Sequence, residues 1–266
     1  MLNCSCMEEV KDMNAFESVL EGFFTESQRA RLYAAVPQRM SVRSFEAPPD
    51  VAELSALSFS AQRLTLSGVR IELGEADEKK LYRHFLFTDT ITGSGRYAAI
   101  IINKKTPNAM LHAGISGEAL ALEAVSLGLG TCWVAGSYRK SAVNIALNAD
   151  EKLVAIIALG VPKKIKHGRV KHKKLTDICV GDPAVWPMWA YNAAECVRVA
   201  PSAMNRQPWR LIFAGRTLML EKKGFASRLD MGIALLHLSL GVEKRPHIIR
   251  LGSGRQIATL NSEDRT

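Results

Sequence analysis

Apolar residues recur with a helical period early in the chain, where Phe16, Val19, Leu20 and Phe23 fall at i, i+3, i+4 and i+7. Thr25 followed by Gln28 has the form of a capping box, which opens a second helix that Pro37 ends. A third helix is expected over Val51 to Gln62, with Asp50 as its N-cap behind the Pro48-Pro49 break. The period then changes. Val69 to Leu73 alternates as a short strand, and Tyr97 to Asn103 (YAAIIIN) is a continuous apolar run of strand length, the mark of a central strand covered on both faces. Ile115 to Leu127 is apolar almost all round its circumference, so that helix should be buried. Leu153 to Leu159 (LVAIIAL) is a second buried strand. Strands and helices in alternation predict layers of helix against sheet.

The chain also repeats itself. Gly114-Ile115, followed by Leu120 and Leu122, matches Gly232-Ile233, followed by Leu238 and Leu240, at an offset of 118 residues. Ile156-Ile157-x-Leu159-Gly160 matches Ile248-Ile249-x-Leu251-Gly252 at an offset of 92, so the second copy is 26 residues shorter between these landmarks. The segment it lacks on this alignment is the loop containing GLGTCWVAG. Two matches in the same order predict an internal duplication, which can build within one molecule the two-fold contact that other proteins make as dimers.

Composition narrows the class. With 266 residues, 47% hydrophobic and 23% charged, the chain is neither disordered nor collagen-like nor a disulfide miniprotein, and it can bury a large core. The longest apolar candidate, Leu111 to Gly136, is interrupted by His112, Glu118 and Glu123, so no membrane span is expected. The segment MLNCSCMEEV lacks the basic start and apolar stretch of a signal peptide, which argues for a cytoplasmic location. Five cysteines (Cys4, Cys6, Cys132, Cys179 and Cys196) read as reduced thiols, and Cys4 with Cys6 lacks the second ligand pair of a metal site. The net charge of +9 is concentrated in Lys163 to Lys174 (KKIKHGRVKHKK), which holds seven Lys or Arg and no acid. No aromatic residue interrupts the run, so it reads as a solvated linker or an anion-binding segment rather than a nucleic-acid surface.

Three constellations carry candidate chemistry. In Gln38 to Phe45 (QRMSVRSF), Arg39, Ser41 and Arg43 alternate, so an extended segment puts two guanidiniums and a hydroxyl on one side, as a phosphate or polyol requires. In Ala200 to Phe213 (APSAMNRQPWRLIF), Asn205 and Gln207 alternate beside Pro208 and Trp209, after the turn-forming Pro201-Ser202. Their amides match the donor and acceptor edge of a heterocycle. In Gly128 to Gly136 (GLGTCWVAG), the glycines close a helix, and Trp133 offers a flat apolar wall. Each has a plainer structural reading: an exposed edge segment, a helix end followed by a strand, and a helix C-cap. His84, His112 and His237 need no catalytic role, and the last two, on apolar helices, read as packed or capping residues.

Together these motifs resemble the flavin-dependent nitroreductase family over roughly residues 39–266. R-x-S-x-R, P-S-x-x-N-x-Q-P-W and G-L-G-x-x-W are its landmarks, with a basic pair, here Lys171 and Lys173, after Leu159-Gly160-Val161-Pro162. The order resembles a fused, two-repeat subgroup. Ordinary members carry P-S-x-x-N-x-Q-P-W in the first half, whereas here it lies in the second repeat and Ser58 to Gly68 stands in its place. The resemblance implies an α+β sandwich of nitroreductase type whose tandem repeats form an intramolecular pseudo-dimer. Its parts would be an N-terminal helical extension (1–38), a first repeat (39–175) and a shorter second repeat (176–266).

The resemblance also implies one FMN per chain, held between the repeats, with NAD(P)H as co-substrate. Arg39, Ser41 and Arg43 would hold the phosphate and ribityl chain, with Lys171 and Lys173 adding positive charge. Ser202 and Asn205 would bond from the second repeat, with Gln207 supporting Asn205. Trp133, Val134 and Ala135 would approach the isoalloxazine, with a backbone N–H near N5. Met40 stands where many members carry a second arginine. The chemistry implied is ping-pong hydride transfer to a nitroaromatic, quinone or similar small acceptor, with no acid–base side chain required and no metal. The alternatives are a flavin-binding protein with a storage or modification role, and an anion-binding module. No nucleic acid or membrane partner is expected, and the chain would be a monomeric pseudo-dimer or a homodimer.

Overall fold

Two capping boxes open the first described helices, as their sequences require. The computed structural model describes residues 20, 23–83, 90–163, 171–242, 247–251 and 255–262. Phe16, Val19, Cys4, Cys6, His84, Lys164, Lys166 and Gly252 lie outside them; Leu20 and Phe23 pack against the core. In α1 (Glu26–Ala35) the Thr25 hydroxyl accepts from Gln28 N–H and the Gln28 carbonyl accepts from Thr25 N–H. In α2 (Val51–Arg63) Asp50 and Glu53 exchange the same pair of bonds. Each box satisfies two of the four orphan donors at a helix start.

The first sheet is antiparallel throughout. β2 (Val69–Glu75) pairs with β3 (Arg96–Asn103), and β3 pairs with β5 (Glu151–Pro162). β4 (Gly130–Val134) pairs with β5 over Ile156 to Gly160, and β1 (Phe45–Ala47) pairs with the last two residues of β5. In β3 successive residues enter different cores. Ala98, Ile100 and Ile102 pack with α2 and α3 (Ala109–Ser126), while Tyr97, Ala99 and Ile101 join Val42, Phe45 and Cys132 on the other face. The unbroken YAAIII run therefore serves two layers.

The second sheet runs in the order β6 (Cys179–Val180), β7 (Trp209–Ala214), β8 (Thr217–Lys222), β10 (Gln256–Ser262) and β9 (His247–Leu251), with β6 parallel to β7 and the other pairings antiparallel. It packs through Trp209 and Leu211 of β7 and Leu218 and Leu220 of β8 (Thr217–Lys222) against α4 (Met188–Arg198) and α5 (Arg228–Gly241). α3 and α5 form the seam between the halves. Both are buried almost all round, α3 touching the first sheet with one face and α5 with another.

At the crossing, a Cβ on Gly114 would overlap the Leu229 carbonyl, and a Cβ on Gly232 would overlap the Leu111 carbonyl. Leu111 and Leu229, like Gly114 and Gly232, are 118 residues apart, so the contact is reciprocal. The second sequence match fares differently. β3 is followed by α3, β4 and β5, with β5 beside β3; β8 is followed by α5, β9 (His247–Leu251) and β10 (Gln256–Ser262), with β10 beside β8. β9 thus takes the place of β4, and the similarity between β5 and β9 joins strands in different positions. The second half has a counterpart of the GLGTCW segment, and the shortening falls between β9 and β10.

That segment is itself a strand. Gly128, with φ of 85°, closes α3, but Gly130 to Val134 pairs with β5 instead of forming a loop. Thr131, Cys132, Trp133 and Val134 are residues that favour a half-buried pleated surface. Gly130 is there for space, since a Cβ would press on the Val42 side chain.

Candidate functional site

Residues 39–43 leave α1 as an extended segment laid along β4. Arg39 N–H still bonds to the Ala35 carbonyl, Val42 N–H donates to the Thr131 carbonyl at 2.9 Å, and Ser41 bridges Thr131 in parallel. Val42 turns inward and is buried. Ser41 and Arg43 stay partly accessible, whereas Arg39 is buried at 7% exposure. The three surround Cys132: its thiol is pushed up by burial, and the charges of Arg43 and Arg39 and a hydrogen bond from Ser41 pull the other way.

Arg39 is the site's anomaly. Its Nε lies 3.6 Å from a Glu118 oxygen, yet Nε and Nη1 are buried with no hydrogen-bond partner among the described residues. Thr131 Oγ1 and His172 Nδ1 are buried and unpartnered in the same way. Buried donors left unmet are costly, so a cluster of them calls for a ligand or water. His172 lies close enough to Arg39 for the two to interact electrostatically; burial first, then the charges of Arg198 and Arg39, lower its pKa. Sequence reasoning passed over His172 because it sits inside the basic run, where only the flanking lysines matched a motif.

The second wall comes from residues 171–173 and 202–207. Asn205 donates through Nδ2 to the Lys171 carbonyl at 2.8 Å. Lys173 N–H donates to Gln207 Oε1 at 2.7 Å, and its ammonium rests on the carbonyls of Arg206 and Gln207. Burial lowers the Lys173 pKa. Gln207, 1% exposed, also donates to the Arg198 carbonyl, and its N–H bonds to Ser202 Oγ at 2.8 Å. Met204, Asn205 and Gln207 all adopt the left-handed region, φ 54°, 52° and 47°. Such backbone persists where surrounding bonds over-determine it. Here Asp230, in the first turn of α5, accepts from Ala203 N–H at 3.0 Å and anchors the turn.

The third element is Trp133. Its indole Nε1 donates to Glu118 Oε2 at 2.7 Å, and its ring lies where a Cβ on Gly117 would be. Val134 is buried and Ala135 exposed at the strand end. The structure therefore joins Arg39, Ser41 and Arg43 with β4, joins Lys171, Lys173, Ser202, Asn205 and Gln207 with each other, and links the two groups through His172. Arg39's orphaned guanidinium fits an anionic group such as a phosphate. Among the described residues, no helix is long and apolar enough to cross a membrane.

Residues 31–242 match the family described as "Putative TM nitroreductase". A "putative nitroreductase" of Thermotoga maritima superposes with a TM-score of 0.63 at 22% identity, covering 88% of this chain and 94% of that one. A nitroreductase family protein of Clostridium novyi is 21% identical, with a TM-score of 0.42, over 50% of this chain and 86% of that one. An FMN-dependent nitroreductase of Clostridium difficile is 18% identical, with a TM-score of 0.41, over 50% and 88%. Among curated proteins none matches significantly.

Proposed function

The chain belongs to the nitroreductase family, and from that premise we propose that it is an FMN-dependent NAD(P)H oxidoreductase acting on a nitroaromatic, quinone or similar small acceptor. The observation that carries this reading is Arg39, a buried guanidinium with unmet donors, within electrostatic reach of His172. We read the two halves as fused repeats forming a pseudo-dimer with one flavin per chain; the reciprocal Gly114–Gly232 crossing supports it.

When bound, FMN would supply the two-electron redox chemistry between NAD(P)H and the acceptor. The protein's part is to bind and orient. Arg39, Ser41 and Arg43 would hold the phosphate and ribityl chain by charge-assisted bonds. Lys171 adds charge, while Lys173 has its ammonium on two carbonyls and so shapes the turn as well. Ser202 and Asn205 would contact the ligand from the second half, and Gln207 braces them. Trp133, Val134 and Ala135 would form the wall beside the isoalloxazine, with a β4-end N–H toward N5.

An absorption spectrum with flavin-to-protein stoichiometry tests the reading. The expected result is a yellow protein with one FMN per chain, bleached by NAD(P)H under nitrogen and restored by a nitroaromatic. Arg43→Ala and Asn205→Ala should each lower flavin content. A protein that takes up no FMN from excess, or two equivalents, defeats the proposal.

A further inference from the structure

The α3–α5 seam carries a buried polar cluster that the roles above leave unused. Glu118 on α3 and His237 on α5 are both fully buried, and His237 Nε2 lies 2.9 Å from Glu118 Oε1. His237 Nδ1 lies 3.0 Å from the Cys196 carbonyl oxygen, which can only accept, so Nδ1 carries a hydrogen. The Nε2–Oε1 contact is then a hydrogen bond only if one proton lies between those atoms. Glu118 also receives the Trp133 indole N–H and faces Arg39 Nε. One carboxylate thus meets a group from two elements of the candidate site, Arg39 and Trp133, and ties both to α5 through His237.

The cluster lies on one side of the seam only. At the 118-residue offset of the glycine crossing, Glu118 corresponds to Leu236 and His237 to Ala119, both fully buried and apolar. A seam needing only cohesion could be apolar on both sides, and a buried polar pair is weak evidence of stabilisation. The polar side is the side of Arg39 and Trp133. We propose that Glu118 and His237 are a positioning pair: they hold the Arg39 guanidinium and the Trp133 indole so that the site selects a phosphate-bearing flavin. This rests on the flavin reading above and adds residues that none of the three sequence motifs contains.

The test compares FMN with riboflavin, which lacks the phosphate, on the full chain. Wild type should bind FMN more tightly. Glu118→Gln, which keeps shape and removes charge, should weaken FMN by about tenfold and leave riboflavin unchanged. His237→Gln supplies the same comparison if the first variant does not fold. If neither folds, wild-type imidazole 15N resonances of His237 should move with FMN and not with riboflavin. Equal weakening of both flavins, no weakening of either, or equal resonance shifts overturns the proposal. A wild type that binds neither flavin fails differently, because it defeats the flavin reading first and this inference with it.

Discussion

The first sheet and the second share an order of elements but not a burial pattern. Tyr97 to Ile101 in β3 and Ala155 to Leu159 in β5 are fully buried, because helices cover one face and the 39–45 segment covers part of the other. In the second sheet, β8 alternates buried and accessible residues, Leu218 and Leu220 in, Thr217 and Met219 partly out. The first half is a filling between two layers, and the second is a lid on one. The candidate site follows the same division: the first half contributes buried, unmet donors, and the second a turn whose amides bond to neighbouring carbonyls.

The seam is where this comparison breaks first. Gly232→Val would drive a branched side chain into the Leu111 carbonyl, and Gly114→Val into that of Leu229. Overpacking against backbone costs about 3 kcal/mol or more, and neither helix can withdraw without opening a core. Because the contact is reciprocal, the two substitutions should lower the thermal midpoint by similar amounts. A large drop for one and a small drop for the other would show that the halves are not equivalent at the crossing.

Sheet burial is tested next. Ile100→Ala removes a fully buried side chain from β3 and should cost about 4 kcal/mol in denaturant unfolding. Ile212→Ala removes a partly exposed one from β7 and should cost about 1 kcal/mol. Equal losses would mean the second sheet is covered on both faces in solution.

How far the sequence foretold this can be argued from the same elements. Strands β3 and β5, the buried helix α3, the Thr25 capping box and the Asp50 N-cap were legible, since period, run length and caps are local signals. The alternation of Arg39, Ser41 and Arg43 was legible as one-sidedness, but the burial of Arg39 was not, because it depends on β4 and on Glu118. Gly130 to Val134 read as a loop because its glycines looked like punctuation; Gly130 is there to clear Val42, a tertiary cause with no local trace. The β5–β9 match misled because apolar strands with a terminal glycine resemble one another wherever they lie. His237 and Glu118 were visible only as polar exceptions on apolar helices.

The two walls of the site should respond unequally. Gln207→Ala strips two side-chain hydrogen bonds from a buried, left-handed position and strands Lys173 N–H and the Arg198 carbonyl. The expected cost is about 2 kcal/mol, with the 202–207 turn opening to hydrogen exchange before the first sheet does. Exchange that rises equally in β3 would place the turn within the first half's cooperative unit.

The smallest effect lies at the far end of the first sheet, where Arg70 of β2 reaches past β3 to Glu151 at the start of β5, 2.7 Å away. Arg70 also touches Glu72, and Asn148 N–H donates to Glu151 at 2.8 Å. Arg70's hydrogen bonds, followed by that of Asn148, hold the Glu151 carboxyl down at about 2 against an ordinary 4.5. A depressed carboxyl stabilises the fold above its unfolded pKa and loses that contribution as pH falls through the folded one. The stabilisation should therefore be complete above pH 4.5 and fade toward pH 2. Arg70 is 32% exposed, so solvent screens the pair and Glu151→Gln should cost under about 1 kcal/mol at neutral pH. Variant and wild type should converge as acid protonates Glu151. A gap that persists unchanged at pH 2 would assign the variant's loss to packing at the β5 start rather than to the ion pair.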